Sequence, residues 1–239
     1  GLKIINEGKH LLVEKPIASQ SDGARLLVEA AEKKNVVLAV GHIENFNPAF
    51  QASLPFINDP IFVESHRLSP FVGRGIDVSV VMDLMIHDIE MLVRLMGDVI
   101  SIEASGASIL TPNIDIASAR LTFEHGVANV TASRISDKPL RKMRFFNYGG
   151  YASIDFGAKT SEVILSKKFP DIPENSLKMS IGGEDFYSFK PQIKEIDPLY
   201  EQLDDFIFSI NNREHKPFVS GKSGLAALEV AEKILKKMG

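Results

Sequence analysis

The 239-residue chain has no cysteine, which excludes disulfides, thiolate metal sites and cysteine nucleophiles. It has no apolar run long enough to span a bilayer and no signal-peptide pattern at its start, so the cytoplasm is the expected compartment. An excess of one charge is also missing: 27 Lys and Arg stand against 31 Asp and Glu, a net of −4. With its cations scattered, the chain is not expected to take nucleic acid or an anionic membrane as its main partner. Internal repeats and low-complexity tracts are absent. What remains, 44% hydrophobic and 24% charged residues, is the composition of an ordinary globular protein long enough to bury a large core.

The opening GLKIINEGKH reads as a helix tail closed by Gly8. HLLVEK then reads as a short buried strand, and VVLAVG as a second one. Between them SQSDGARLLVEAAEKKN has helical period. Ser19 or Ser21 can cap it, Asp22 sits in its first turn, and Lys33 and Lys34 sit in its last. Its Ala24, Leu27, Val28 and Ala31 line one side. Apolar strand, amphipathic helix, apolar strand predicts a parallel βαβ unit.

After Gly41 the pattern changes. IFVESHRLS predicts a strand running into a Pro/Gly-rich loop, SPFVGRGIDV, and VSVVMDLMIHDIEMLVRLMG predicts a helix ending at Gly97. Hairpins follow. Ala119, Leu121 and Phe123 alternate with polar residues, as do Ala128, Val130 and Ala132 beyond a turn at His125-Gly126. MRFFNYGGYASIDF predicts another hairpin around Gly149-Gly150, and FPDIPENSLKMSIGGEDF an irregular loop or arm. PLYEQLDDFIFSI and GKSGLAALEVAEKILKKM read as closing helices. The fold class expected is α+β: parallel α/β over residues 1–41, then over 42–239 a mostly antiparallel sheet with helices on one face. Its uncovered face would suit a homo-oligomer.

Three side chains carry candidate chemistry. Asp83 and His87 are spaced i, i+4 at the start of a helix, just after a Gly-rich loop. An aspartate one turn before a histidine can orient the imidazole and raise its basicity, which suits a general base. Glu90 and Arg94 continue the same stripe and read as a solvated face. Lys15 lies between Glu14 and Pro16 at the end of the first strand. Proline biases the preceding residue toward extended backbone, so Lys15 projects from the strand's carboxyl end, the edge at which open α/β sheets bind ligands. As a turn residue it could equally be a plain surface lysine.

GKHLLVEKPIA, VGHIENFNPAF, MDLMIHDIEML and the tail PLYEQLDDFIFSI…KPFVSGKSGLAALEVAEKI together resemble the glucose-fructose oxidoreductase/inositol dehydrogenase/MocA (Gfo/Idh/MocA) family, nearly end to end and in its order. The resemblance implies that residues 1–41 are the last part of a Rossmann dinucleotide-binding domain and that 42–239 form a substrate-binding and oligomerisation domain. It implies an oxidoreductase using NAD or NADP on a sugar or polyol. Glu14, Lys15 and Pro16 would meet the cofactor; Lys15 would bind the reacting oxygen, His87 would take the hydroxyl proton, and Asp83 would support them. VGHIENFNPAF and ESHRLSPF look most similar to nucleotide-sugar 3-dehydrogenases acting on UDP-N-acetylhexosamines or their uronic acids. On that likeness His42, Glu44, Asn47, His66 and Arg67 surround the cleft, although His42 and His66 taken singly read equally as structural imidazoles. Such relatives usually read ERFNP, whereas this chain has Asn45, a change expected to remove a guanidinium near the substrate. No metal site is expected.

No G-x-G-x-x-G follows a strand. GRGIDV lacks the third glycine, and SGKSG lacks the glycine that would begin a phosphate loop. The main pyrophosphate site is therefore expected to lie outside this sequence, and with it the choice between NAD and NADP. Two readings follow: a truncated dehydrogenase, expected to be inactive as this chain alone, or a substrate-domain module that binds or assembles without redox activity.

Overall fold

In the computed structural model, residues 1–73, 75–169 and 172–239 are described. Arg74 of the Gly-rich loop, and Pro170 and Asp171 of the stretch expected to be irregular, lie outside the described residues. Helix α1 (Leu2–Asn6) ends ahead of Gly8, whose φ of 73° gives the left-handed turn that glycine adopts freely. Strands β1 (Leu11–Glu14) and β2 (Leu38–Gly41) pair in parallel around helix α2 (Ser21–Lys34), which buries Ala24, Leu27, Val28 and Ala31. Neither Ser19 nor Ser21 caps α2. Gln20 holds the N-cap position, and the Ser21 hydroxyl donates instead to Glu232 at 2.6 Å. A charged acceptor across the interface wins over a local cap.

A 3₁₀ turn (Ile43–Phe46) and a short helix α3 (Pro48–Ser53), not anticipated from the sequence, lead into β3 (Phe62–Leu68). The next helix is not uniform. Val81–Met85 forms a π turn, and α4 (Ile86–Met96) continues from it to Gly97. Strands β4 (Ser101–Ala107), β5 (Ile116–Phe123), β6 (Gly126–Ser133), β7 (Leu140–Asn147), β8 (Gly150–Asp155) and β9 (Thr160–Ser166) follow. The stretch expected to be irregular instead contains a hairpin, β10 (Leu177–Ile181) and β11 (Glu184–Phe189), turned by Gly182 and Gly183 at positive φ. Two consecutive positive φ values are what a tight hairpin turn requires.

These strands form a nine-stranded sheet in the order β10-β11-β9-β8-β7-β3-β6-β5-β4, antiparallel except for β3 against β6. Val63, Ala119, Leu121, Ala128, Val130, Met143, Phe145 and Ile154 all point to one face and are fully or almost fully buried. Helices α3, α4 and the C-terminal α6 (Gly221–Met238) cover that face. The other face carries Phe62, Phe146, Tyr151 and the Glu64–Arg144 ion pair, and no helix among the described residues covers it. Helix α5 (Pro198–Asn211) is capped by Asp197 and leaves Leu199, Tyr200, Leu203 and Ile207 exposed. Among the described residues no helix is long and apolar enough to cross a membrane.

Helix α6 joins the two sheets. A Cβ on Gly221 would come within 2.6 Å of Leu38, and one on Gly224 within 2.6 Å of Val40. The two glycines of GKSG therefore let a helix sit directly on β2, and Ser220 supplies its N-cap.

Candidate active site

Lys15 leaves the carboxyl end of β1 ahead of a cis Lys15–Pro16 bond. Its Nζ donates to the carbonyl oxygen of Asp83 at 2.6 Å and lies 3.4 Å from Asp83 Oδ1. Asp83 sits in the π turn, a distortion that recurs at functional sites. Gly75, at φ 65°, closes against the same carboxylate, since a Cβ there would fall 2.9 Å from Asp83 Oδ2. The Gly-rich loop is held from below by Arg134, which donates to the Gly75 and Val78 carbonyls at 2.7 Å each. The sequence expectation that Asp83 orients His87 is corrected here: a cation claims the carboxylate first, and His87 Nδ1 is buried with no hydrogen-bond partner among the described residues.

His42 follows β2 directly and is fully buried. Its ring stands edge-to-face with His87, centroids 5.6 Å apart, and neither of its nitrogens has a partner among the described residues. Burial pushes the His42 imidazole down to about 3, with the fields of Lys15 and Arg67 adding to the effect. Burial also holds His87 well below the usual imidazole range, reinforced by Arg67, Lys15, His42 and Arg141. Both rings are therefore neutral near pH 7, and Lys15 is close enough to act on both.

Alternation along β3 decides the next two residues. Arg67 faces inward with Ser65; His66 points to the uncovered face of the sheet, away from His87. His66 is thus corrected out of the cleft. Arg67 is 4% exposed. Its Nε and Nη2 donate to Asp88 Oδ1 at 3.0 and 2.6 Å, and its Nη1 lies 3.4 Å from Glu44. Ser65 donates to the other Asp88 oxygen at 2.8 Å. Glu44, in the 3₁₀ turn, also accepts from Arg141 at 3.2 Å. Asn47 is spent structurally: its Oδ1 caps α3 and its Nδ2 donates to the Phe156 carbonyl at 3.1 Å.

Two further expectations change. Glu90 is fully buried, and Arg94 stacks over Phe218 at 4.1 Å, so neither belongs to a solvated face. Both meet Asn45, which donates to Glu90 at 2.6 Å and to the His42 carbonyl at 3.2 Å while accepting from Arg94 at 2.7 Å. Burial pushes the Glu90 carboxyl up, against the pull of Arg94 and Asn45. Position 45 thus faces the core beneath His42 rather than the cleft, so asparagine there does not take a guanidinium from the substrate.

Glu14 is exposed, and its carboxylate lies over Gly41, where a Cβ would fall 2.9 Å from Oε2. An acceptor at Glu14 beside a donor at Lys15, on the carboxyl edge of a parallel strand pair, fits the ribose hydroxyls at the nicotinamide end of a dinucleotide. Among the described residues no group of three His, Asp or Glu could hold a metal ion. Arg141 and Asp88 escaped the sequence reading. The β3–β7 register sets Arg141 directly opposite Arg67, and cross-strand neighbours leave no local signal.

Residues 1–42 match the model of an oxidoreductase family with an NAD-binding Rossmann fold. The UDP-N-acetylglucosamine 3-dehydrogenase of Acidithiobacillus ferrooxidans is 34% identical over 230 residues, covering 94% of this chain and 69% of that protein. Its solved structure superposes with a TM-score of 0.86 and 29% identity, over 99% of this chain and 73% of that one. Inositol 2-dehydrogenase of Paracoccus denitrificans is 31% identical over 117 residues, covering 46% of this chain and 34% of that protein.

Proposed function

The chain belongs to the Gfo/Idh/MocA oxidoreductase family, and from that premise we propose that it serves an NAD(P)-dependent dehydrogenase acting on a sugar hydroxyl, C3 of a UDP-N-acetylhexosamine. One observation carries the reading: Lys15, on the carboxyl edge of the parallel pair, reaches the turn that presents His87. An alcohol is a poor proton donor, so its oxidation needs a base at the hydroxyl and a cation where alkoxide charge develops. His87 is the base: its imidazole is neutral at pH 7, and because burial also weakens it as a proton acceptor, transfer relies on the Lys15 ammonium acidifying the hydroxyl. The Lys15 ammonium donates to the same oxygen, and Asp83 fixes that ammonium in place. The proton passes to His87 and the carbon is left as a ketone. A nicotinamide, when bound, supplies the acceptor for the hydride. The likeness to a UDP-N-acetylglucosamine 3-dehydrogenase supports the choice of sugar.

The test is a panel of UDP-hexosamines offered with NAD and with NADP, read by absorbance of the reduced cofactor, alongside NADH and NADPH titrations followed by fluorescence. Cofactor reduction with UDP-N-acetylglucosamine is expected from the full-length enzyme that carries the pyrophosphate site, and not from residues 1–239 alone. His87→Ala and Lys15→Met should each lower kcat by about a hundred- to ten-thousand-fold with a smaller change in KM. In the full-length enzyme, no reduction with any UDP-hexosamine would refute the substrate and an absence of NADH and NADPH binding would refute the redox reading; negligible binding by residues 1–239 alone would mean only that this chain is not an oxidoreductase by itself.

A further inference from the structure

Four basic groups gather around the site: His42 edge-to-face with His87, Lys15 on Asp83, Arg67 on Asp88 and Glu44, and Arg141 on Glu44 and opposite Arg67 in the sheet. Three are committed. His42 is sealed in the interior. Lys15 is held by the carbonyl and carboxylate of Asp83. Arg67 is buried and answered by Asp88 and Glu44. Arg141 differs. Its side chain is 51% exposed, and its one hydrogen bond among the described residues runs from Nη1 to Glu44 Oε1 at 3.2 Å. Its Nε and Nη2 make no hydrogen bond among the described residues. Its backbone is fixed in β7, opposite Arg67 on the helix-covered side, whereas Lys142 points to the other face. Glu44 steadies the guanidinium without closing its fork, and a planar fork with spare N–H groups matches phosphate oxygens.

We propose that Arg141 grips the diphosphate of a nucleotide-sugar substrate and so sets the preference for nucleotide-linked over free sugars. This rests on the reading that the substrate is a nucleotide sugar. A diphosphate on the anomeric carbon is set back from an oxidised C3, and Arg141 correspondingly meets the site through Glu44, with no hydrogen bond to His87 among the described residues. The anion meets a guanidinium already held by Glu44, whose Oε1 accepts from both Arg141 and Arg67, so binding adds charge-assisted hydrogen bonds to a preorganised group.

The experiment is calorimetric titration of the purified protein with UDP and with uridine, for wild type, Arg141→Met and Arg141→Lys. Wild type should bind UDP more tightly than uridine. Arg141→Met should weaken UDP by about ten- to a hundredfold, with a much smaller effect on uridine. Arg141→Lys, which keeps the charge and loses the fork, should fall between, and it carries the test if the methionine variant does not fold. Equal UDP affinity in wild type and variants, or UDP binding no tighter than uridine, overturns the assignment. Because the readout is binding, Arg141-dependent UDP affinity with no cofactor reduction by the full-length enzyme would sink the dehydrogenase reading and leave this one standing.

Discussion

Replacing Asp88 by asparagine tests the electrostatic frame of the site. Arg67 and Asp88 are 4% and 1% exposed, and the carboxylate accepts two N–H groups from Arg67 and the hydroxyl of Ser65. A surface ion pair contributes at most about 1 kcal/mol. Breaking a buried pair by removing one partner costs about 3–5 kcal/mol, because the remaining charge stays in low dielectric. Glu44 still lies 3.4 Å from Arg67 Nη1 and answers part of that charge, so the expected loss for Asp88→Asn sits at the lower end, about 3 kcal/mol. For a chain of this size about 1 kcal/mol shifts Tm by roughly 2–4 °C, so melting followed by circular dichroism should fall by roughly 6–12 °C. The double variant Asp88→Leu/Arg67→Met removes both charges and should recover most of the loss. An Asp88→Asn protein melting within about 1 °C of wild type would refute the claim that Arg67 depends on this partner.

Two other outcomes follow from the same packing. His42 and His87 both have imidazoles held below the ordinary value, His42 falling from 6.5 to about 3. The unfolded chain therefore binds more protons in that window, and stability is full above 6.5 and declines as pH falls toward about 3, by about 1.4 kcal/mol per pH unit for His42, with His87 shifting it in the same direction. Urea midpoints measured from pH about 7 down to about 5 should drop, and His42→Phe should flatten the slope; an unchanged slope would mean that His42 does not supply it. Gly224→Ala would drive a Cβ to 2.6 Å from Val40, whereas Gly23→Ala in α2 would meet only Ala18 at 3.5 Å. The first should destabilise by about 1–3 kcal/mol, while the second should be neutral or stabilise by up to about 1 kcal/mol, both read from urea unfolding.

Local chemistry made several elements legible in advance. The apolar run of β2, the amphipathic face of α2 and the in–out alternation of β5 and β6 each state what is buried, because their patterns match the backbone geometry, whereas β1, read as buried, is only half-buried. The same periodicity misread Glu90 and Arg94. A polar stripe looks solvated until α6 and the 3₁₀ turn close over it, and only then does Asn45 appear as its partner. The hairpin of β10 and β11 was hidden because β10 is exposed throughout and β11 is half-buried along most of its length, which leaves no in–out alternation to read.

Sequence alone determined that Lys15 projects from a strand end, and that Asp83 and His87 share the start of a helix, since adjacency and spacing fix such facts. Tertiary structure decided what each one touches. Lys15 rather than His87 received the aspartate, strand alternation sent His66 to the far face, and sheet register brought Arg141 opposite Arg67. Contacts between residues 68 or 74 positions apart depend on how whole elements pack, and no short stretch of chain encodes that.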